Sequence, residues 1–283
     1  MADADFSGGY ADPATAARLQ AASGLAQGPF LRSLIDRAKM LAHPVLSGFR
    51  VGAVGLGESG AIYLGTNIEF PASQLCQTIH AEQAVVISAV THGENRLAAL
   101  AISAAPCGSC RQFLQELADT DNLAIWLARD TPYTLAHFLP DAFGPHDLGV
   151  TGGLLAPTGL AFRLRDAPAK LDPAVQAALE AANKSYAPYT KAYAGCALVA
   201  ANGSIHTGSA IENAAFNPSL TANQAAMISL ILAGHDWQGI TSIVLAQTPD
   251  GIINHRQAAT QMIASLGLGI VPRLFELATA QEA

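Results

Sequence analysis

At 283 residues the chain exceeds a typical domain of about 100 to 200 residues, so two domains are expected. A hydrophobic fraction of 51% against 13% charged supplies material for large cores and a subunit interface, while a net charge of −7 with no Lys/Arg run argues against a nucleic acid partner. No apolar run approaches the roughly 20 residues needed to span a bilayer, and the acidic start Met1-Ala-Asp-Ala-Asp-Phe6 lacks the regions of a secretory signal, so a cytoplasmic protein with no membrane partner is expected.

Residues 1–28, rich in Ala, Gly and Asp, read as an N-terminal extension with helical character around Thr15 to Ala22. An apolar-striped helix follows near residues 30–42, then strands near 51–56 and 61–65, a helix from about 79, a strand near 98–105, a helix from about 107 and a strand near 123–128. Short strands alternating with helices predict an α/β layered domain whose mixed sheet is covered on its faces. Gly144 to Pro173 contains Gly152-Gly153, Pro145, Pro157, Pro168 and Pro173, frequent turn formers, and reads as a linker with a short strand at Leu160 to Leu164.

The chemistry-bearing motif is His80-Ala81-Glu82 followed by Pro106-Cys107-Gly108-Ser109-Cys110. It offers three metal ligands, His80, Cys107 and Cys110, and one carboxylate that is not needed as a ligand. A structural zinc closes its tetrahedron with four protein groups, whereas a catalytic zinc keeps three and leaves the fourth place to water or substrate. Glu82 is then free to move protons. If Pro106 opens a helix, the two sulfurs lie on one face near its start, where unpaired N–H groups stabilise thiolates. Thr78 is the expected cap of the helix that carries His80 and Glu82. Because residues two apart do not share a helix face, both can reach one ion only if this is the first, adjustable turn. Cys76 and Cys196 complete the four cysteines, too few and too uneven for a disulfide framework. Cys196 reads as a small buried apolar residue. Cys76 as a fourth ligand would make the site structural. Seven further histidines, including His92 and His235, have no ligand-like neighbours in the sequence.

An internal repeat organises the chain. Ile62-Tyr-Leu-Gly-Thr-Asn-Ile-Glu69 recurs as Ile205-His-Thr-Gly-Ser-Ala-Ile-Glu212, 143 residues on, and Val51-Gly-Ala-Val54 recurs at the same shift as Ala194-Gly-Cys-Ala197. With a two-residue gap, Thr221 falls opposite His80 and Asn223 opposite Glu82; Asp250 falls opposite Cys107, and nothing replaces Cys110. The copy is expected to bind no metal.

His-x-Glu with a later Pro-Cys-x-x-Cys is the zinc deaminase signature. Together with Phe49-Arg-Val-Gly-Ala53, Gly65-Thr-Asn-Ile-Glu-Phe70, Thr78-Ile-His-Ala-Glu-Gln83, Pro106-Cys-Gly-Ser-Cys-Arg-Gln-Phe113, Leu139-Pro-Asp-Ala-Phe-Gly-Pro145 and Asn213-Ala-Ala-Phe-Asn-Pro218 it resembles the cytidine deaminases, in their long homodimeric two-domain form, over nearly all of the chain after about residue 28. The resemblance implies two tandem α/β/α layered domains with mixed sheets, the second a degenerate, non-catalytic copy. The expected division is an extension at 1–28, a catalytic zinc domain at 29–145, a linker at 146–172 and the degenerate domain at 173–283. It implies hydrolytic deamination of cytidine and 2′-deoxycytidine with release of ammonia, one Zn2+ per chain on His80, Cys107 and Cys110 with water as fourth ligand, and Glu82 as the proton carrier. It gives Cys76 no ligand role. Asn67 and Glu69 match positions that hydrogen-bond the ribose 3′-hydroxyl, Phe49 an aromatic against the pyrimidine, and Ala81 a further substrate contact. Phe143 and Phe216 match aromatics that reach the site from the neighbouring subunit. Arg50 departs from the pattern, standing where a small or polar residue is more usual.

Overall fold

Among the described residues, ten strands form two five-stranded sheets that share one four-stranded plan and differ in the edge at which the fifth strand is added. The computed structural model describes residues 5–166, 170–249 and 252–278; Pro168 of the expected linker and Asp250, opposite Cys107, lie outside the described residues. The first sheet has the order β1-β3-β2-β4-β5, from β1 (Tyr10–Ala11), β2 (Gly52–Gly57), β3 (Ile62–Thr66), β4 (Leu97–Ile102) and β5 (Ala124–Trp126). The second has the order β6-β10-β9-β7-β8, from β6 (Arg163–Leu164), β7 (Ala194–Ala200), β8 (Ile205–Ser209), β9 (Ile240–Gln247) and β10 (Arg273–Ala278). In each sheet the two long central pairings are antiparallel, while β4 with β5 and β9 with β10 run parallel, so both sheets are mixed. Even the irregularity is duplicated. The β2–β4 register shifts between Leu56 and Gly57, and the β7–β9 register between Val199 and Ala200.

The residues before 29 do not stand apart from this plan, because Tyr10 and Ala11 pair with Tyr63 and Ile62 and extend the first sheet. The Leu160 to Leu164 stretch likewise supplies β6, which pairs antiparallel with β10.

Side chains alternate along the strands as a two-residue period requires. Val54, Ile62 and Leu64 point outward into a core with Phe30, Leu31 and Ala38, covered by α1 (Pro13–Ser23), α2 (Gln27–Ser33) and α3 (Ile35–Met40). Ala53 and Tyr63 point inward to a core shared by both halves, in which α4 (Ala81–Thr91) and α8 (Ala222–Leu232) lie between the sheets. The outer face of the second sheet is covered by α7 (Pro173–Ala182), through Val175, Ala178 and Val244. Every residue of α4 from Ala81 to Val90 is buried, which suits a helix with almost no polar face. Gly65 admits α4 closely: a Cβ there would lie 2.2 Å from the Ala81 carbonyl oxygen, and one at the equivalent Gly208 would lie 2.0 Å from the Ala226 nitrogen.

Three local expectations are corrected. The helix near 30–42 is two helices, α2 and α3, divided at Leu34, whose N–H closes on the Leu31 and Arg32 carbonyls. The apolar face of Phe30, Leu31, Leu34 and Ala38 continues across the break, so periodicity did not reveal it. Arg50 accounts for its own presence here, donating from Nη1 to the Lys39, Met40 and Ala42 carbonyls at the end of α3. Thr78 does not cap α4; Ile79 is held extended by paired hydrogen bonds with Ile68 at 2.9 and 3.0 Å, so the helix starts only after His80, which is its N-cap. Pro106 does not open α5 (Gly108–Leu114); Cys107 is the N-cap, with Pro106 one residue outside.

Candidate active site

The ends of two helices bring the three ligand groups together. Cys107 and Cys110 follow β4 at the start of α5, and His80 stands at the start of α4. His80 and Cys107 are cap residues with extended backbones, at φ −95° and φ −70°, so their side chains are not bound to the helical stagger. This is how His80 and Glu82, two residues apart, face one cleft. The His80 N–H donates to Gln83 Oε1 at 2.9 Å, leaving its ring free of the helix end. His80 Nδ1 lies 3.4 Å from Cys107 Sγ and 3.3 Å from Cys110 Sγ. A tetrahedral zinc with Zn–N of about 2.0 Å and Zn–S of about 2.3 Å sets nitrogen and sulfur roughly 3.5 Å apart, so these residues fit that ion. Among the described residues they are the group of three whose ligand atoms lie within 4.8 Å of one another. Cys76 is exposed and is not part of it.

The electrostatics favour a thiolate at Cys107 and a thiol at Cys110. A hydrogen bond with Cys110 and another with His80 push the Cys107 thiol down to about 3. Cys110 is pushed up by that same hydrogen bond and by burial. The His80 ring is raised chiefly by its hydrogen bond with Cys107, against its burial.

His80, Ala81, Glu82 and Cys107 line a cleft of about 290 Å³ together with Phe49, Asn67 and Glu69. Glu82 is 4% exposed, and burial raises its carboxyl above the ordinary value. Glu69 is equally buried at 6% but accepts from the Leu46 N–H at 2.7 Å, the Ser47 N–H at 2.8 Å and the Ser47 hydroxyl. Burial alone would raise Glu69; those three donors outweigh it and hold the carboxyl below the ordinary value. Asn67 accepts from the Val51 N–H and donates to the Phe49 carbonyl, both at 2.9 Å, which fixes the backbone that presents the exposed Phe49 ring. Phe143 and Phe216 do not line this cleft; both are exposed elsewhere on the surface.

Ser47 was missed in the sequence, as were the lining residues Thr78, Ala104 and Ala105. The repeat held a signal for Ser47. Glu212 is cradled by Tyr189 N–H, Thr190 N–H and the Thr190 hydroxyl in the same way, and Thr190 is the repeat partner of Ser47. In the second half the carboxylate cradle is kept, but Thr221 caps α8 with its hydroxyl and Asn223 is fully buried against Met262 Sδ.

This fold and ligand set define a zinc deaminase. Two family profiles, each described as cytidine and deoxycytidylate deaminase zinc-binding region, match residues 30–125 and 135–260. A cytidine deaminase of Photorhabdus laumondii is 44% identical over 222 residues, covering 78% of this chain and 74% of the relative, and one of Serratia proteamaculans is 42% identical over 242 residues, covering 86% and 81%. The crystal structure of cytidine deaminase from Mycobacterium tuberculosis is 35% identical, with a TM-score of 0.38, over 42% of this chain and 99% of that one. The chain belongs to the cytidine deaminase family, in a two-domain α/β form. Among the described residues no helix is long and apolar enough to cross a membrane.

Proposed function

We propose that this chain deaminates cytidine and 2′-deoxycytidine to uridine and 2′-deoxyuridine by hydrolysis, with release of ammonia. The observation that carries this is the convergence of His80, Cys107 and Cys110 beside the buried Glu82, in a cleft that Asn67 and Glu69 also line. Those three ligands would hold Zn2+, which supplies Lewis acidity and makes water a usable nucleophile at neutral pH. Glu82 accepts the proton of the attacking water and delivers it to pyrimidine N3, leaving C4 electrophilic. A second transfer by Glu82, from the hydroxyl added at C4 to the exocyclic nitrogen, lets that nitrogen leave as ammonia, so that a C4–O bond replaces the C4–N bond. Glu69 and Asn67 keep unused acceptor and donor capacity for the ribose 3′-hydroxyl. Phe49 provides a face for the base. Ala81 is the first residue of α4, where backbone N–H groups have no partner within the helix and can meet the substrate.

The active copy is assigned to residues 29–145, joined through 146–172 to a non-catalytic copy at 173–283 in which no described residue set replaces the three ligands. Phe143 and Phe216 are assigned to the cleft of a neighbouring subunit in a homodimer, a reading supported by their exposure and by their absence from the lining of the cleft of their own chain. The cytoplasm, where thiols stay reduced, is the compartment that suits the ligand pair. Incubation of the purified protein with cytidine should convert the absorbance spectrum to that of uridine, with one zinc per chain by elemental analysis. Unchanged absorbance from a zinc-loaded preparation, or two zinc ions per chain, would contradict this assignment.

A further inference from the structure

The carboxylate of Glu116 takes no part in this chemistry, yet it is completely shielded from solvent. It lies two residues beyond the end of α5, the helix that begins at the cysteine ligands. A carboxylate in such a place needs donors. Glu116 has three, all from the second half of the chain: the Tyr186 hydroxyl at 2.8 Å and the Tyr189 hydroxyl at 2.5 Å on Oε1, and the Ala214 N–H at 2.8 Å on Oε2. Two further bonds run beside them. Asn213 Nδ2 donates to the Gln112 carbonyl at 3.0 Å, and Gln83 Nε2 donates to the Pro218 carbonyl at 3.2 Å. The segment 213–218 is therefore strapped at both ends to the two helices whose starts carry the zinc ligands.

In the middle of that segment stands Phe216, 58% exposed and with a left-handed backbone at φ 60°. A bulky residue keeps such a conformation only when its surroundings over-determine it. Its ring packs edge-on against Tyr189, with centroids 6.2 Å apart. Glu116 thus grips Phe216 from two sides, through the Ala214 amide in the backbone and through the Tyr189 hydroxyl behind the ring.

We propose that Glu116 is a positioning residue for the reaction: it fixes the 213–218 segment and Tyr189 so that the Phe216 ring projects in the one direction a neighbouring subunit's cleft can use. This rests on the assignment of Phe216 to that cleft. A carboxylate that merely joined the two halves would affect stability and leave substrate affinity alone.

Steady-state kinetics with cytidine, together with zinc content and thermal melting, on Glu116→Gln, Tyr189→Phe, Phe216→Ala and the double variant Glu116→Gln/Phe216→Ala separate the two roles. Phe216→Ala should raise KM. Glu116→Gln, which keeps volume but replaces an acceptor by a donor, and Tyr189→Phe, which keeps the ring but removes one hydrogen bond, should each raise KM by about three- to thirtyfold while kcat stays within about twofold and zinc remains at one per chain. The double variant should be no worse than Phe216→Ala alone, because both changes remove the same contact. An unaltered KM for Phe216→Ala sinks the shared-cleft assignment, and this inference with it. A raised KM for Phe216→Ala, with normal values for Glu116→Gln and Tyr189→Phe or with multiplying effects in the double variant, leaves the shared cleft standing and overturns the role of Glu116. If Glu116→Gln does not fold, Tyr189→Phe decides on its own.

Discussion

The carboxyl groups of Glu69 and Glu82 line the same cleft and are buried alike, but their neighbours drive them in opposite directions. Glu69 is surrounded by donors from Leu46 and Ser47, which favour its anion; Glu82 is governed by burial, which favours its protonated form and suits the proton exchange proposed for it. Replacing Glu82 by Gln preserves shape and removes that exchange. Glu82→Gln should lower kcat by about 10²- to 10⁴-fold or more while the protein retains zinc and still binds cytidine, as metal analysis and calorimetry can check. Turnover near the wild-type rate would remove Glu82 from the proton path. A different titration acts on stability. Burial, and then the neighbouring His235, push the His206 ring down to about 4. In the unfolded chain it titrates near 6.5. Between those values the unfolded state binds a proton that the folded state does not, so this contribution is complete above pH 6.5 and is lost as the pH falls through the window towards 4. The loss of melting temperature on going from pH 7.5 to pH 5 should be smaller for His206→Gln than for the wild type. Equal losses would show that His206 carries none of the acid sensitivity.

At the level of elements, what the sequence revealed follows what a linear pattern can encode. Short apolar strands, the helix after each, and a duplicated block such as Ile62 to Glu69 with Ile205 to Glu212 are local, and they were legible. So was the grouping of His80, Cys107 and Cys110, since His80 and Cys107 are the caps of their helices and Cys110 stands in the first turn after Cys107. Two features depended on distant partners and were not legible: the extended state of Ile79 that delays α4 comes from Ile68, and the pairing of β1 comes from β3. The seat of α4 on β3 is a further case, since nothing near Gly65 in the sequence announces that the Ala81 carbonyl will lie against it. A valine there would collide with backbone on the turn that carries Glu82. Gly65→Val should lower the melting temperature by about 2–10 °C, the range expected of one overpacked core position, and should depress activity with it. Gly239→Ala, where a Cβ meets nothing within 4 Å, is the matched control and should melt close to the wild type.

On the scale of the whole molecule, the two halves hold each other by contacts that interchange when the halves are swapped. Gln83, in the first turn of α4, donates to the Pro218 carbonyl, and Gln224, in the first turn of α8, donates to the Gln77 carbonyl at 3.0 Å. The second half therefore supports the zinc-bearing helices although it offers no ligand set of its own among the described residues. What it presents outward is Phe216, beside the exposed Ile252 and Ile253, an apolar surface that the proposed homodimer would cover. If a twofold pair places Phe216 of one chain over the cleft of the other, each cleft needs Glu82 from one chain and Phe216 from its neighbour. A mixed dimer of Glu82→Gln and Phe216→Ala chains then contains one cleft with both residues intact and one with neither. Co-expressed and purified as the mixed species through two different tags, it should turn over cytidine with wild-type KM at roughly half the wild-type rate per dimer. Neither parent shows that combination, since one lacks turnover and the other binds weakly. A mixed dimer that keeps the weakened KM of Phe216→Ala would mean that Phe216 serves the cleft of its own chain, and that the two clefts work independently.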